Sequence, residues 1–247
     1  MNRITENKII LIKRKTRLEE LIARFNTIEQ ARFYIEHLGS DFSDYLREDQ
    51  KYKSEVNRAE QTLAGLGRLQ IISREFLSNF VFGPHDTVVA IGQDGLVVNT
   101  LKYLSGQLLI GVNPDSDRWD GALLPFCVDD LSNIISDVFK SKRQIKTVSM
   151  AQAVLNDGQK INAVNDLFIG QKTHVSSRYQ IRYGNSIENQ SSSGIIVSTG
   201  LGATGWLKSI IAGAGGIISA LKSDISKIKS LKQPPWNADY LYFSGHC

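Results

Sequence analysis

The stretch Asp86–Thr100, DTVVAIGQDGLVVNT, decides the fold class of this chain. Its apolar part, Thr87–Ile91, is rich in β-branched residues and predicts a buried strand of a parallel sheet. A turn flanked by glycines, Gly92–Gly95, follows the strand, and Leu96–Leu104 predicts the next helix. A strand, a turn and a helix in this order are typical of an open α/β sheet.

The same turn carries one acidic side chain, Asp94, between Gly92 and Gly95. Backbone N–H groups at a helix start favour negative charge, and glycine lets a phosphate approach the backbone because no Cβ intervenes. A carboxylate in such a turn can bind Mg²⁺ or accept a proton from an attacking hydroxyl, so the turn indicates phosphoryl transfer. The alternative, in which Asp94 caps the helix and the glycines only turn the chain, fits these residues slightly better when they are taken alone.

The composition is that of an ordinary globular protein. The chain has 247 residues, long enough for one large domain or two modest ones, and is 42% hydrophobic and 22% charged. Its net charge of +4 suits a nucleotide or polyphosphate ligand, although a mixed solvated surface explains that charge more simply. Lysines and tryptophans are not interleaved in a basic stripe, so we expect no nucleic-acid partner.

The cysteines and the apolar runs bear on the compartment. Cys127 and Cys247 lie far apart and in no metal-ligand spacing, which argues against a disulfide scaffold or a cysteine zinc site and favours a reducing compartment. No apolar run is long enough for a membrane span, and the N-terminus does not resemble a secretory signal. The sequence therefore predicts a cytoplasmic protein with no membrane partner.

Residues 1–143 alternate between strand and helix patterns. Apolar runs predict strands at Lys8–Lys13, Leu69–Ile72 and Gln107–Val112, in addition to the central one. Helical spacing predicts helices at Arg17–Phe25, after Thr27 and at Val128–Phe139, whereas Ser43–Leu66 fits a long surface helix or a mobile crossover. This alternation predicts an N-terminal Rossmann-like open α/β domain over residues 1–143.

Residues 144–247 show another pattern. Short alternating runs separated by turn residues predict antiparallel strands, with an Asp-Gly hairpin signal in Asn156–Gly158. Ser186–Ser193 predicts a polar loop, Ile210–Gly216 is a small, glycine-rich stretch, and Ser219–Leu231 predicts a basic amphipathic helix. We therefore expect a β-rich second domain over residues 144–247.

One glycine motif points to a different function. Gly200, Gly202 and Gly205 satisfy the G-x-G-x-x-G pattern of dinucleotide-binding oxidoreductases, and Asp224 lies at about the distance of a ribose-binding acid. The motif requires a second parallel strand ending in that acid, but Asp224 falls within a predicted helix and hairpin-like strands precede Gly200. We therefore rank an oxidoreductase last.

Three stretches, in this order, resemble motifs of the NAD kinase family. Gly92–Gly95, GQDG, resembles the family's GGDG, and Asn165-Asp166 resembles its Asn-Glu pair. Ser193–Trp206, SGIIVSTGLGATGW, resembles its DG…TPTGSTAY segment, and Ala212–Gly216 resembles the small-residue run after it. The resemblance implies an α/β nucleotide-binding domain followed by a β-rich substrate-binding domain, with the site in the cleft.

The resemblance also implies an activity, the transfer of the γ-phosphoryl group of ATP, with Mg²⁺, to the 2′-hydroxyl of the adenosine ribose of NAD. Asp94 would be the catalytic carboxylate, and Gly92 and Gly95 would bind phosphate. No residue is assigned as a protein ligand of a metal, and a homo-oligomer is expected. The residues that would bind NAD are Asn165, Asp166, Thr204, Gly205, Trp206 (by stacking) and Ser209.

The chain departs from the family pattern at several site positions, namely Gln93, Leu96, Asp166, Ser193, Gly200, Leu201 and Ala203. It also ends soon after the small-residue run, which indicates either a shortened second domain or a truncated sequence. These departures leave two alternatives open: a nucleotide-binding or sensor member without catalysis, or a kinase for another hydroxyl, of a sugar or a lipid. The phosphoryl donor and the acceptor, whether NAD, NADH or another molecule, stay open at this point.

Overall fold

The computed structural model describes residues 5–173, 175–221 and 234–246, and the chain forms two compact units, Met1–Gln144 and Ile145–Cys247. Asp224 and most of the predicted helix Ser219–Leu231 lie outside the described residues. None of the helices in the described ranges combines the length and apolar composition needed to cross a bilayer.

The first unit is built on a parallel sheet of four strands. They are β1 (Lys8–Lys13), β2 (Arg68–Ser73), β3 (Thr87–Ile91) and β4 (Leu108–Val112), in the order β2-β1-β3-β4. All five residues of β3 are buried, as are the four apolar residues of β1, because helices cover both faces of the sheet. A continuous apolar run is the expected pattern for such strands.

Helices surround this sheet: α1 (Arg17–Phe25), α2 (Ile28–His37), α3 (Phe42–Leu66), α4 (Asp94–Leu101) and α5 (Leu131–Phe139), with 3₁₀ turns at Arg74–Asn79 and Val128–Asp130. Alternate residues of β1 and β3 pack on opposite faces, those of one face against α3 and α5, and those of the other against α4. Thr16 begins α1 with a capping box to Glu19. The ambiguous stretch Ser43–Leu66 is helix α3, which packs through Tyr52, Val56 and Leu63.

The second unit is mostly antiparallel. It contains the hairpins β5–β6 (Ala151–Val154 and Lys160–Ala163) and β8–β9 (Ser177–Tyr183 and Ser186–Ser192), and a three-stranded sheet ordered β11-β10-β7 (Tyr242–His246, Gly194–Ser198 and Asp166–Gly170). A 3₁₀ turn, Gly202–Thr204, and helix α6, Trp206–Ala220, follow β10.

One sequence-based expectation for this unit is wrong, and the oxidoreductase hypothesis fails at the strand pairing. Ser186–Ser193 is not a loop, because Ser186–Ser192 pairs with β8 across a turn at Gly184, which has a φ of 57°. The small, glycine-rich stretch Ile210–Gly216 lies within α6, which covers Trp206–Ala220. Because β10 pairs antiparallel with both of its neighbours, the parallel unit of an oxidoreductase dinucleotide site is absent before Gly200.

Candidate active site

The strand order of the first unit places a crevice between β1 and β3. From β1 the chain crosses to β2 on one side, and β3 then pairs with β1 on the other side. In open α/β sheets, ligands bind at such a reversal, outside the carboxyl ends of the strands. Two segments leave the sheet there, one beginning at Arg14 after β1 and one at Gly92 after β3.

Asp94 is the first residue of α4, directly behind this turn. The N-cap position is occupied by Gln93, which makes no side-chain capping bond, so the alternative in which Asp94 caps the helix is wrong. Instead, Asp94 Oδ1 accepts a hydrogen bond from the backbone N–H of Leu123 at 2.8 Å. Within the part of the chain that the structure describes, no other hydrogen bond to this carboxylate occurs, which leaves Oδ2 available.

The two glycines of the turn have different surroundings. Gly92 donates its N–H to Val112 O at 3.1 Å, and a Cβ at this position would lie 3.1 Å from Leu96 Cδ2 and 3.5 Å from Arg14 Cδ. Gly95 is exposed, and a Cβ there would meet no described atom within 4 Å. A side chain at Gly92 would thus be tightly packed, whereas the backbone at Gly95 stays open to a ligand at the helix start.

The segment after β4, residues 113–126, supplies the N–H group that binds Asp94. Asn113 is buried and organises the segment, since its Nδ2 donates to Trp119 O at 2.9 Å and its Oδ1 accepts from Asp115 N at 3.0 Å. The returning chain lies so close to β4 that a Cβ on Gly111 would collide with the carbonyl oxygen of Leu123. The rotamer of Asp94 therefore depends on the fold of this segment.

An ion-pair cluster joins the same segment to α3. Arg118 donates through both Nη atoms to the two carboxylate oxygens of Asp44, at 2.6 and 2.9 Å, and Arg17 Nη2 donates to Asp44 Oδ2 at 2.6 Å. These bonds hold the pKa of the Asp44 carboxyl well below its usual range, with Arg118 the larger cause.

Arg14 is a site residue that sequence reasoning missed. It lies beside Gly92, with 10% of its side chain exposed, and its guanidinium stacks over the ring of Tyr52 at 4.8 Å. The only indication in the sequence is its position directly after a buried strand. Within the run Lys13–Arg17, KRKTR, it resembles one more solvated cation.

In the second unit, Asn165 and Asp166 lie where β7 begins, next to the turn after β10. Asn165 O accepts a hydrogen bond from Thr199 N at 2.9 Å, and Thr199 Oγ1 accepts one from Gly202 N at 3.0 Å. Gly202 packs so closely on Asn165 that a Cβ would collide with its carbonyl oxygen. The structure thus brings the Asn-Asp pair and the glycine turn together, and backbone groups hold them.

Asp166 carries a buried oxygen without a partner. Oδ1 is buried and accepts no hydrogen bond from any residue that the structure describes. Burial raises the pKa of the Asp166 carboxyl, and a hydrogen bond with Ser198 opposes the rise. A buried acceptor of this kind is suited to a hydroxyl donor supplied by a ligand.

The remaining predicted residues lie where the turn meets α6. Thr204 Oγ1 donates to Leu201 O at 3.3 Å, and Ser209 N donates to Gly205 O at 3.4 Å. The ring of Trp206 stacks on Phe168, with centroids 5.6 Å apart, and 39% of Trp206 is exposed. These four residues are thus neighbours within one unit.

Among the described residues, neither unit contains a preformed protein cage for a metal. In residues 5–173, 175–221 and 234–246, no group of three or more His, Cys, Asp or Glu side chains could hold a metal ion. A cation that arrives with a nucleotide needs only one or two carboxylates in addition to phosphate oxygens. Asp94 Oδ2 fits that smaller requirement.

Comparison with known proteins gives a fold neighbourhood. No protein-family model matches the chain, and no curated protein matches its sequence. Among solved structures, yeast NADH kinase complexed with NADH is similar at a TM-score of 0.51 and 13% identity, over 98% of this chain and 67% of that one. An NAD kinase from Archaeoglobus fulgidus in complex with ATP matches 82% of this chain and 64% of its own, at 15% identity and a TM-score of 0.44.

This chain has an NAD kinase-like fold. The predicted fold class, an open α/β domain followed by a β-rich one, is confirmed. The match covers 67% of the yeast protein and 64% of the Archaeoglobus fulgidus protein, so this chain spans about two thirds of their length.

Proposed function

We propose that the chain is an NAD kinase-like phosphotransferase, which moves the γ-phosphoryl group of ATP to the 2′-hydroxyl of the adenosine ribose of NAD. The observation that carries this proposal is the fixed carboxylate of Asp94 at the carboxyl end of a buried parallel strand, behind a glycine turn. The similarity to a solved NADH kinase supports it.

Asp94 acts as the general base. The N–H group of Leu123 holds Oδ1, so Oδ2 accepts the proton of the ribose hydroxyl as that oxygen attacks the γ-phosphorus. Gly92 and Gly95 let the phosphates approach the backbone. The N–H groups at the start of α4 then attract the negative charge of the phosphates. Residues 1–143 are then the nucleotide-binding domain.

Residues 144–247 are the substrate-binding domain in this proposal. Asp166 accepts a hydrogen bond from a ribose hydroxyl through its unpartnered Oδ1, and Asn165 lies beside it. The residues that line the adenine side are Thr204, Gly205, Trp206 and Ser209. The partly exposed ring of Trp206 offers a face for stacking.

Mg²⁺ enters with ATP. Phosphate oxygens would be its ligands, and the ion would neutralise charge on the phosphates. A homo-oligomer and a cytoplasmic location remain predictions from the sequence.

The test is NADP formation by the purified chain with NAD, ATP and Mg²⁺, detected with a dehydrogenase specific for NADP. Asp94→Asn should lower kcat by about 10²–10⁴-fold, because the amide still accepts the Leu123 N–H but cannot take a proton. Asp120→Asn is the matched control, since Asp120 is an exposed carboxylate in the same segment as Leu123, and it should retain activity.

Other outcomes contradict parts of the proposal. If Asp94→Asn works at the wild-type rate, the role given to Asp94 is wrong. If NAD and ATP bind in calorimetry but no NADP forms, the chain is a nucleotide-binding member without this activity. Consumption of ATP with a sugar or lipid hydroxyl, and not with NAD, assigns a different acceptor.

A further inference from the structure

We propose that Arg14 is a ligand of the nucleotide's polyphosphate, binding a phosphate group that the turn Gly92–Gly95 holds at the crevice between β1 and β3. The inference deepens the proposed function and rests on it for the identity of the nucleotide. Phosphate binding by Arg14 is testable without any kinase activity.

Hydrogen bonds and ring packing hold Arg14 in place at the crevice. Its backbone N–H donates to the hydroxyl of Tyr52 at 2.9 Å, and that hydroxyl donates to Ile91 O at 3.0 Å. The buried side chain of Tyr52 therefore joins the ends of β1 and β3, and its ring supports the guanidinium. A side chain held in this way loses little further freedom when a ligand binds.

The guanidinium of Arg14 has an N–H donor that no described residue uses. Guanidinium carries five N–H donors. Nη1 donates to Lys15 O at 2.8 Å and Nη2 donates to Glu48 Oε1 at 2.6 Å, whereas Nε has no partner among the described residues. Arg17 and Arg118 also carry a buried Nε without a described partner, but that of Arg14 lies beside the candidate phosphate turn, where a ligand oxygen can complete it.

The position of this unpaired nitrogen matches the turn. Nε lies 3.6 Å from the point that a Cβ on Gly92 would occupy, so the unpaired donor borders the glycine turn. The start of α4 is the second source of positive potential at the turn. Two independent features, one on each side of the crevice, thus favour an anion.

Glu48 determines how Arg14 acts. Its carboxylate is buried and already binds Arg14 Nη2 and, at 3.2 Å, the backbone N–H of Arg17. The net charge that Arg14 adds to the crevice is therefore reduced. The planar, forked donor geometry is what remains for phosphate recognition, and lysine cannot reproduce that geometry.

The experiment measures binding of inorganic tripolyphosphate to the full chain by calorimetry at constant ionic strength, because salt screens anion binding. Arg14→Lys should raise the Kd by at least about tenfold, since charge-assisted hydrogen bonds are lost while the ion pair with Glu48 stays possible. Arg14→Gln should have an effect at least as large.

The matched control is Arg17→Lys. Arg17 is also paired with a carboxylate of α3 and stacked on a tyrosine, at 4.5 Å from the ring of Tyr45, but its carboxylate is Asp44. Its Kd for tripolyphosphate should stay within about twofold of wild type. An unchanged Kd in Arg14→Lys, an equal loss in Arg17→Lys, or no binding by the wild type overturns the inference.

The two proposals fail in different ways. Binding of tripolyphosphate that depends on Arg14, without NADP formation, keeps the phosphate ligand and refutes the kinase. NADP formation together with an unchanged Kd in Arg14→Lys keeps the kinase and refutes the ligand. Thermal unfolding of each variant shows whether a loss of binding reflects a loss of fold.

Discussion

Different chemical groups stabilise each of the two candidate binding regions. Around the turn after β3, side chains do the holding: the carboxylate of Asp94 binds the backbone of Leu123, and Asp44 binds two arginines. Around Asn165, backbone groups do it, through Thr199 N and the close contact with Gly202. The first region should therefore be sensitive to charge and pH, and the second to added volume at its glycine.

The reason for the difference is the architecture beneath each region. Strands β1 and β3 are buried on both faces, so polar groups that leave the sheet enter a crowded environment and need side-chain partners. Strands β7 and β9 have mostly exposed or half-exposed residues, and their positions depend on pairing with neighbouring strands. Three predictions test this contrast, from the largest expected effect to the smallest.

Gly202→Ala should be the most damaging of these changes. Its Cβ would collide with the carbonyl of Asn165, which is backbone and cannot rotate away, so we expect a loss of about 3 kcal/mol in the free energy of unfolding of the second unit. Urea unfolding of a Trp119→Phe background measures it, because the remaining tryptophans, Trp206 and Trp236, lie in that unit.

Gly213→Ala is the matched control for Gly202→Ala. Gly213 is a residue of α6 with no described atom within 4 Å of its Cβ position, so alanine there should raise helix stability by roughly 0.5–1 kcal/mol. If both alanines have the same effect, contact with Asn165 is not what holds the second region.

Asp44→Asn tests the first region through its charge. The pKa of Asp44 lies below its ordinary value of 3.8, so the carboxylate stabilises the fold above that pH, and this contribution is lost as pH falls toward the lowered pKa. We expect the variant to lose about 1–2 kcal/mol near pH 7, allowing for the partial exposure of Asp44. The difference in the free energy of unfolding between the variant and wild type should become smaller below pH 3.8.

Thermal unfolding at a series of pH values, with exposed Asp117→Asn as the control, measures this dependence. A loss in Asp44→Asn that is the same at every pH would show that the carboxylate charge is not what binds the segment of Arg118 to α3.

The sequence predicted best where burial is complete. The central runs of β1 and β3, Ile9–Ile12 and Val88–Ile91, are continuously apolar, and the predicted bounds of both strands match the structure. Burial on both faces leaves no polar position within these runs. The polar strand β9 has no such pattern. Only its pairing with β8 through the turn at Gly184 makes it a strand, and that information lies outside the segment itself.

The candidate site was partly predictable for the same reason. The positions of Asp94 and Asn165 could be inferred from motif order, but their partners could not. The bond to Asp94 comes from Leu123, which is distant in sequence, and Arg14 is distinguished from its lysine neighbours only by Glu48 and Tyr52 on α3. Glycine is also a poor guide to where helices end, since the glycines in Ile210–Gly216 lie within α6 and do not end it.

Asp166→Asn should have the smallest effect on stability, and its sign separates a structural from a binding role. Burial raises the pKa of Asp166 above the ordinary value of 3.8, so the folded state disfavours the charged form, and stability falls as pH rises from 3.8 through the raised pKa. Asparagine carries no charge there. We therefore expect the variant to equal or exceed wild type near pH 7, by less than about 1 kcal/mol.

The same variant should bind NAD more weakly, because the unpartnered Oδ1 is the atom proposed to accept the ribose hydroxyl and a neutral amide oxygen is a poorer acceptor. Calorimetry with NAD and thermal unfolding across pH measure the two effects together, with exposed Asp239→Asn as the control. A variant that is less stable near pH 7 and binds NAD normally would place Asp166 with the side chains that hold a region together. In that case a side chain would also stabilise the second region, and the two regions would no longer differ in the groups that stabilise them.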